Sequence, residues 1–150
     1  KVQNNVSIYD EVIIEDYAFC GPSVVFTNVI NPRAEISRKK EYKKTIIRVG
    51  ASLGANSTII CGVEVGSYSL VGAGAVVNRN IKSFALVVGV PSKQIGWISA
   101  YGERINLELD GDGIWECSKT GDIYSLRGGI MHRTIGSYWS NNIMFSDDIN

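Results

Sequence analysis

Residues 28–46, NVINPRAEISRKKEYKKTI, form a polar, basic stretch around Pro32 that carries most of the side chains suited to chemistry. Asn28 and Asn31 bring amides, which accept and donate hydrogen bonds without changing charge. Arg33 offers a planar fork of donors suited to a carboxylate or a diphosphate. Arg38, Lys39, Lys40, Lys43 and Lys44 follow as a run of positive charge. Such a run is either a solvated face or a clamp on the phosphates of a ligand. Zinc chemistry is poorly supplied, because it needs several His ligands and the chain has one, His132. Cys20, Cys61 and Cys117 lie far apart, and Cys117 in CSKTG is half of a zinc knuckle without a second pair, so no metal is expected. Cys20 is expected in the core and Cys61 partly exposed.

The elements that must hold these residues repeat every six positions. Apolar residues fall at Val2, Ile8, Ile14, Cys20 and Phe26, then again at Ile47, Leu53, Ile59, Val65, Val71 and Val77. Small or β-branched residues follow four positions later, at Val6, Val12, Ala18 and Val24, then Ala51, Ser57, Val63, Ser69, Ala75 and Ile81. Neither a helix nor an alternating strand has that period; it belongs to parallel β-helices, whose six-residue units each form one face of a prism. The expected fold is therefore all-β: a parallel β-helix over residues 1–97, interrupted by a protruding loop at 28–46, with an extension over 98–150. Gly50, Gly54, Gly62, Gly66, Gly72 and Gly74 suit corners where a Cβ is crowded or φ is positive. Asn56 suits a left-handed corner. The beat is already running at Val2 without a capping unit, so we expect further coils to precede it.

Pro91 ends the repeat within SFALVVGVPSKQIGW. Residues 98–106 read as a short helix or turn, and 113–131 as a β-hairpin around KTGD. The tail 132–150 has aromatic residues but no clear period, and reads as a partner-docking strand or a poorly ordered end. Formal net charge is zero, from fifteen basic and fifteen acidic residues, so no global field points to nucleic acid or to an anionic membrane. No apolar run is long enough to span a bilayer. Three cysteines without paired spacing argue against a disulfide framework and suit a reducing cytoplasm.

A hexapeptide prism can be an acyltransferase using acetyl-coenzyme A, a zinc hydratase or a passive solenoid. CGPSVVFTNVINPR, RKKEYKKT, GASLGANSTIICG, VGAGAVVNRNI and ALVVGVPSKQIGW together resemble the nucleotide-sugar N-acetyltransferases with a left-handed β-helix. Within that group the match is nearest to enzymes acting on the 3-amino group of a UDP-linked 2-acetamido-3-amino-glucuronate. Relatives act on dTDP-3-amino-3,6-dideoxyhexoses. The resemblance covers roughly residues 1–105 and implies a left-handed coil. It also implies a homotrimer with sites between neighbouring prisms, acetyl-coenzyme A as co-substrate, and a role in surface-polysaccharide precursor synthesis. It places Asn28 beside the reacting amine and thioester, where its amide can accept from the amine and donate to a developing oxyanion. Asn31 and Arg33 become substrate contacts, as do Gln3, Asn4, Asn5, Tyr9 and Asp10, read as partners of uridine or of sugar hydroxyls. Ala55, Gly72, Ala73 and Gly74 would offer backbone N–H groups to the coenzyme, and Arg79 and Lys93 would meet its 3′-phosphate. Many hexapeptide acyltransferases use a coil-borne His as base. None is present in these coils, so either the base lies in coils that precede them or no protein base is used; the resemblance favours the second, direct attack by the amine with positioning in place of titration.

Overall fold

The computed structural model describes residues 1–142. It is all-β apart from the five-residue α1 (Tyr138–Asn142). Three successive coils supply β1 (Val12–Ile14), β2 (Phe19–Cys20) and β3 (Val25–Phe26), then β4 (Thr45–Ile47), β5 (Ser52–Leu53) and β6 (Thr58–Ile59), then β7 (Glu64–Val65), β8 (Leu70–Val71) and β9 (Val76–Val77). Parallel pairing stacks β1–β4–β7 as the first face, β2–β5–β8 as the second and β3–β6–β9 as the third. Isolated bridges from Val2 to Cys20 and from Ser7 to Val25 place the earliest residues on the second and third faces.

The six-residue beat and the prism interior coincide. Cys20, Phe26, Ile47, Leu53, Ile59, Val65, Val71 and Val77 are all buried, and so are Ala18, Val24, Ala51, Ser57, Val63, Ser69, Ala75 and Ile81. Each aliphatic side chain so removed from water contributes about 1.5–3 kcal/mol. Burial pushes the Cys20 thiol above its ordinary pKa, as befits a packing residue. At the N-terminal end Val2 and Ile8 remain 46% exposed, since no described coil lies above them.

Corners follow two rules. Asn56 adopts the left-handed geometry expected of it, with φ 56°. Gly54 instead answers to close approach: a Cβ there would lie 2.5 Å from the Ala73 nitrogen and 2.7 Å from the Val71 oxygen of the next coil. Gly54→Ala should therefore spread two coils and cost about 1–3 kcal/mol, the usual penalty of overpacking. Thermal unfolding checks this. Gly74→Ala is the control, because nothing lies within 4 Å of its added Cβ and only its φ of 69° resists substitution.

Past the third coil, β10 (Ala85–Val88) pairs parallel with β8, and the chain then reverses. β11 (Lys93–Ile98) and β12 (Arg104–Ile105) add antiparallel to it. Residues 98–106 thus contain a strand end, a turn and a strand, with no helix. The reason is packing: Trp97, Ile98 and Ile105 are buried and need a sheet partner on each side of the turn. Beyond them, β13 (Gly113–Glu116) and β14 (Ile123–Arg127) form the expected hairpin, with Trp115 opposite Tyr124. A third strand, β15 (Ile130–Thr134), extends it to a meander. Described residues of the tail therefore pair within their own sheet or enter α1, and 143–150 lie outside the described residues.

Aromatic contacts dock the meander on the prism. Tyr68 stacks on Phe84 at 5.6 Å, and Phe84 meets Tyr124 edge-on at 5.5 Å. The Arg133 guanidinium lies 5.1 Å from the Tyr68 ring and 4.8 Å from that of Trp139. Beneath them, buried Asp122 accepts hydrogen bonds from Gly136 N (2.7 Å), Arg133 Nε (2.9 Å) and Trp139 Nε1 (3.0 Å). On the first face, Arg48 joins the coils through Glu64 (2.8 Å) and Glu15 (2.7 Å). The Arg48 hydrogen bond holds the Glu64 carboxyl below its ordinary pKa.

Candidate active site

The pairing register turns one edge of the prism into a column of different side chains. Counting outward from the Ser7–Val25 bridge and from the Phe26–Ile59 and Ile59–Val77 pairs, Asp10, Asn28, Cys61 and Arg79 occupy equivalent places in successive coils. Neighbouring coils are about 4.8 Å apart, the spacing of paired strands. The interrupting loop leaves this edge just after Asn28. Its root is closed by a bond from Lys43 N to the Asn28 carbonyl (3.0 Å). Thr27 Oγ1 accepts from Cys61 N (2.9 Å) and Thr45 Oγ1 from Gly62 N (3.2 Å). These two threonines flank the loop and cover the corner at Cys61. Cys61 is consequently only 3% exposed, where the sequence led us to expect a partly exposed thiol.

Two clefts lie against the loop. The first, about 480 Å³, is lined by Asn28, Pro32, Arg33, Arg38, Lys39 and Tyr42 among others. The second, about 470 Å³, is lined by Asp10, Glu11, Lys39, Lys40 and Tyr42. Lys39 and Tyr42 belong to both, so the clefts meet there. Arg33 is exposed and, among the described residues, its side chain donates only to the Pro32 carbonyl within the loop (2.9 Å), while Arg38 is paired with Glu41 at 2.8 Å. Asn31 and Lys44 are exposed. Asn31 is not among the residues lining either cleft.

The polar residues of the first coil do not form a single patch. Tyr9 and Asp10 sit at the Asn28 edge, whereas Asn4 and Asn5 belong to the edge between the second and third faces. Hydrogen bonds stack that edge: Ser23 N to Asn4 O (2.9 Å), Asn56 N to Pro22 O (3.0 Å) and Gly74 N to Ala55 O (2.9 Å). Gln3 leads into it, its N–H bonded to Cys20 O. Ala55, Ala73 and Gly74 therefore share this edge with Asn4 and Asn5, two and three coils further along, and lie one prism face away from Asn28. Gly72 and Gly74 donate their N–H groups to Val87 and Ala55, so those donors are committed to the stack. Of the four small corner residues, Ala55 and Ala73 retain N–H groups that no neighbouring coil takes among the described residues. Val25, Thr58 and Val76 face outward between the two edges.

Arg79 and Lys93, fourteen positions apart in sequence, come together in a third cleft of about 270 Å³ with Asn80, Lys82, Ser92 and Gln94. Ser92 is 3% exposed, and its Oγ has no hydrogen-bond partner among the described residues. Lys82 is held by the Gly129 carbonyl at 2.9 Å. Sequence reading missed Ser92, Glu11 and Tyr42. Ser92 reaches its place only because β11 folds back and the Ser92 N–H bonds the Val76 carbonyl (2.8 Å), which no local pattern announces. Among the described residues no group of three His, Cys, Asp or Glu side chains is placed to hold a metal ion, and no helix is long and apolar enough to cross a membrane.

The architecture is the left-handed hexapeptide β-helix, and the chain is similar through its coils to hexapeptide-repeat acetyltransferases. It aligns at 37% identity over 96 residues with a dTDP-3-amino-3,6-dideoxy-alpha-D-galactopyranose 3-N-acetyltransferase of Aneurinibacillus thermoaerophilus, covering 64% of this chain and 48% of the relative. A serine acetyltransferase of Buchnera aphidicola is 38% identical over 78 residues, covering 45% of this chain and 28% of the relative. The chain thus spans about half the length, or less, of these two curated relatives. Among solved structures, a hexapeptide-repeat acetyltransferase from Vibrio cholerae superposes with a TM-score of 0.57 at 28% identity, covering 64% of this chain and 57% of that one. A galactoside acetyltransferase in complex with coenzyme A gives 0.56 at 26% identity, over 69% and 54%. No family model matches the chain.

Proposed function

We propose that the protein transfers an acetyl group from acetyl-coenzyme A to the amino group of a nucleotide-linked amino sugar. The observation that carries this reading is Asn28, standing at the root of the interrupting loop and beside its cleft, in a chain 37% identical to an amino-sugar N-acetyltransferase over 96 residues. The amine attacks the thioester carbonyl, a C–N bond replaces the C–S bond, and the amine proton leaves with the departing thiolate. Asn28 orients the amine and donates to the oxyanion, work that needs no change of charge. The coenzyme runs along the third face, past the N–H groups of Ala55 and Ala73, and its 3′-phosphate enters the cleft of Arg79, Lys93 and Ser92. Ser92 Oγ supplies a buried donor there that has no partner among the described residues.

Two acceptors are in view. The 3-amino group of a UDP-linked amino-uronate would give Arg33 a carboxylate to bind, and Arg33 has no acidic partner of its own among the described residues. A dTDP-3-amino-3,6-dideoxyhexose is favoured by the name of the relative from Aneurinibacillus. Either product suits surface-polysaccharide precursor synthesis. Assembly as a homotrimer would cover Ile13, Tyr17 and Phe19, exposed on the prism at 42%, 80% and 36%. Release of free thiol from acetyl-coenzyme A on adding UDP- or dTDP-linked 3-amino sugars tests the activity, and comparing the two nucleotides separates the acceptors. Absence of release with every sugar, while the Aneurinibacillus enzyme releases thiol in the same assay, would leave a non-catalytic prism.

A further inference from the structure

The cleft that holds Arg79, Lys82 and Lys93 is lined by three positive charges and no carboxylate. None of the three forms an ion pair among the described residues. Arg79 and Lys93 reach the cleft from the end of the coils, but Lys82 is held from outside the prism. Its ammonium donates to the Gly129 carbonyl, 47 positions away, at 2.9 Å, and lies 6.0 Å from the centre of the Trp97 ring. Gly128 and Gly129 make the two-residue turn between β14 and β15, with Arg127 opposite Ile130. Both have positive φ, 55° and 71°, as a type I′ hairpin turn requires. Asp112, just ahead of β13, accepts from Gly128 N at 2.9 Å and pins the turn. Contacts therefore run from Asp112 through the turn to Lys82 and into the cleft. The nature of the last partner matters. A carbonyl fixes the ammonium without cancelling its charge, and leaves two of its three donors for a ligand.

We propose that the C-terminal meander is a working part of the coenzyme site. Through the Gly129 carbonyl it presents Lys82 to the 3′-phosphate, and Asp112 is a positioning residue for that contact. This rests on the acetyl-transfer reading and deepens it, since that reading brought the 3′-phosphate to Arg79, Lys93 and Ser92 but gave Lys82 and the meander no part. A lysine on a free four-carbon stem must give up rotamer freedom when it meets a phosphate, and that loss weakens binding. Lys82 is already restrained by the turn, so less freedom remains to be lost. Its charge stays uncompensated until an anion arrives, and hydrogen bonds from an ammonium to a phosphate are among the strong ones. The docking of the meander through Phe84, Tyr124 and Asp122 thereby serves binding as well as stability.

The test is equilibrium binding of coenzyme A and of dephospho-coenzyme A, which lacks the 3′-phosphate, to the 150-residue protein. Thiol release from acetyl-coenzyme A in the presence of amino sugars is followed in parallel. The native protein should bind coenzyme A about tenfold more tightly than the dephospho form. Lys82→Gln should reduce that preference about fivefold, with dephospho-coenzyme A bound as before. Gly129→Ala should reduce it about threefold, because its Cβ would stand 3.0 Å from Lys82 Nζ and push the ammonium off the carbonyl. Asp112 is exposed, and Asp112→Ala should match Gly129→Ala in preference while keeping the native unfolding midpoint. Gly128→Ala is the control: it carries the same left-handed strain, yet nothing lies within 4 Å of its Cβ. It should lose stability as Gly129→Ala does and retain the preference. A preference unchanged in Lys82→Gln, Gly129→Ala or Asp112→Ala overturns the proposal, as does an equal loss in the two glycine variants. A native protein that binds both coenzymes alike, or neither, overturns it too, and thiol release then shows separately whether acetyl transfer stands. The expected pattern without any thiol release upholds the role of the meander and sinks the acetyl-transfer reading instead.

Discussion

Asp122→Ala is expected to destabilise the docked C-terminal meander by about 3–5 kcal/mol, the cost of removing one partner from a buried ion pair. Asp122 is fully buried and faces Arg133 at 2.9 Å, and the Arg133 side chain is itself only 9% exposed. Without the carboxylate, the guanidinium would remain between the Tyr68 and Trp139 rings with no counter-charge. The Gly136 N–H and the Trp139 indole would lose their acceptor as well. A fall in the thermal midpoint, with early protease cleavage in residues 113–134, is the result to look for; an unchanged midpoint would show that the network is dispensable. The same group sets an acid limit. Burial alone would raise the Asp122 pKa, but the Gly136 N–H, the Trp139 indole, the Arg133 charge and Thr120 outweigh it and hold the carboxyl below its ordinary value. Its contribution is therefore complete above the unfolded-state value of about 3.9 and disappears as pH falls through the lower folded-state value. Asp122→Asn should remove that acid-dependent part of the unfolding curve.

The second large effect concerns turnover. Asn28→Ala should lower kcat by about 10²–10³-fold, the range seen when one oxyanion donor is removed, with stability nearly unchanged. Stability is spared because Asn28 holds the loop root through its backbone carbonyl, which alanine keeps. Its amide makes no hydrogen bond to another residue among the described residues. Asn28→Asp should be as slow, since a carboxylate accepts from the amine but donates nothing to an oxyanion. Near-native turnover in either variant removes Asn28 from the chemistry.

Much of this fold is legible in the sequence because a β-helix is built from local units. Every beat position from Cys20 to Val77 is buried, and the place where the period fails is where the loop leaves the prism. The hairpin around KTGD was readable for the same reason: its alternation and its turn lie within twenty residues. What could not be read depends on stacking between coils. Tyr9 and Asp10 follow Asn4 and Asn5 by only five positions, yet a corner separates them onto different edges. Cys61 lies off the beat and looks exposed, yet Thr27 and Thr45, which flank the interrupting loop one coil earlier, cover it. The meeting of Arg79, Ser92 and Lys93 needed the reversal at β11, and the third strand of the meander needed Asp122 as its anchor.

The prism also works as a ruler with two scales. Between Asp10 and Asn28, eighteen residues advance the chain by one coil and return it to the same edge, while six residues carry it to the next face. A deletion of six residues within the uninterrupted coils would keep every inward side chain apolar, and the protein could still stack. It would nonetheless turn Arg79 and everything after it away from the edge that bears Asn28. Loss of eighteen would leave both on one edge and merely shorten the distance between them. Such chains can therefore lose or gain whole coils and keep their site in line, and changes in length are expected in steps of three hexapeptides rather than one.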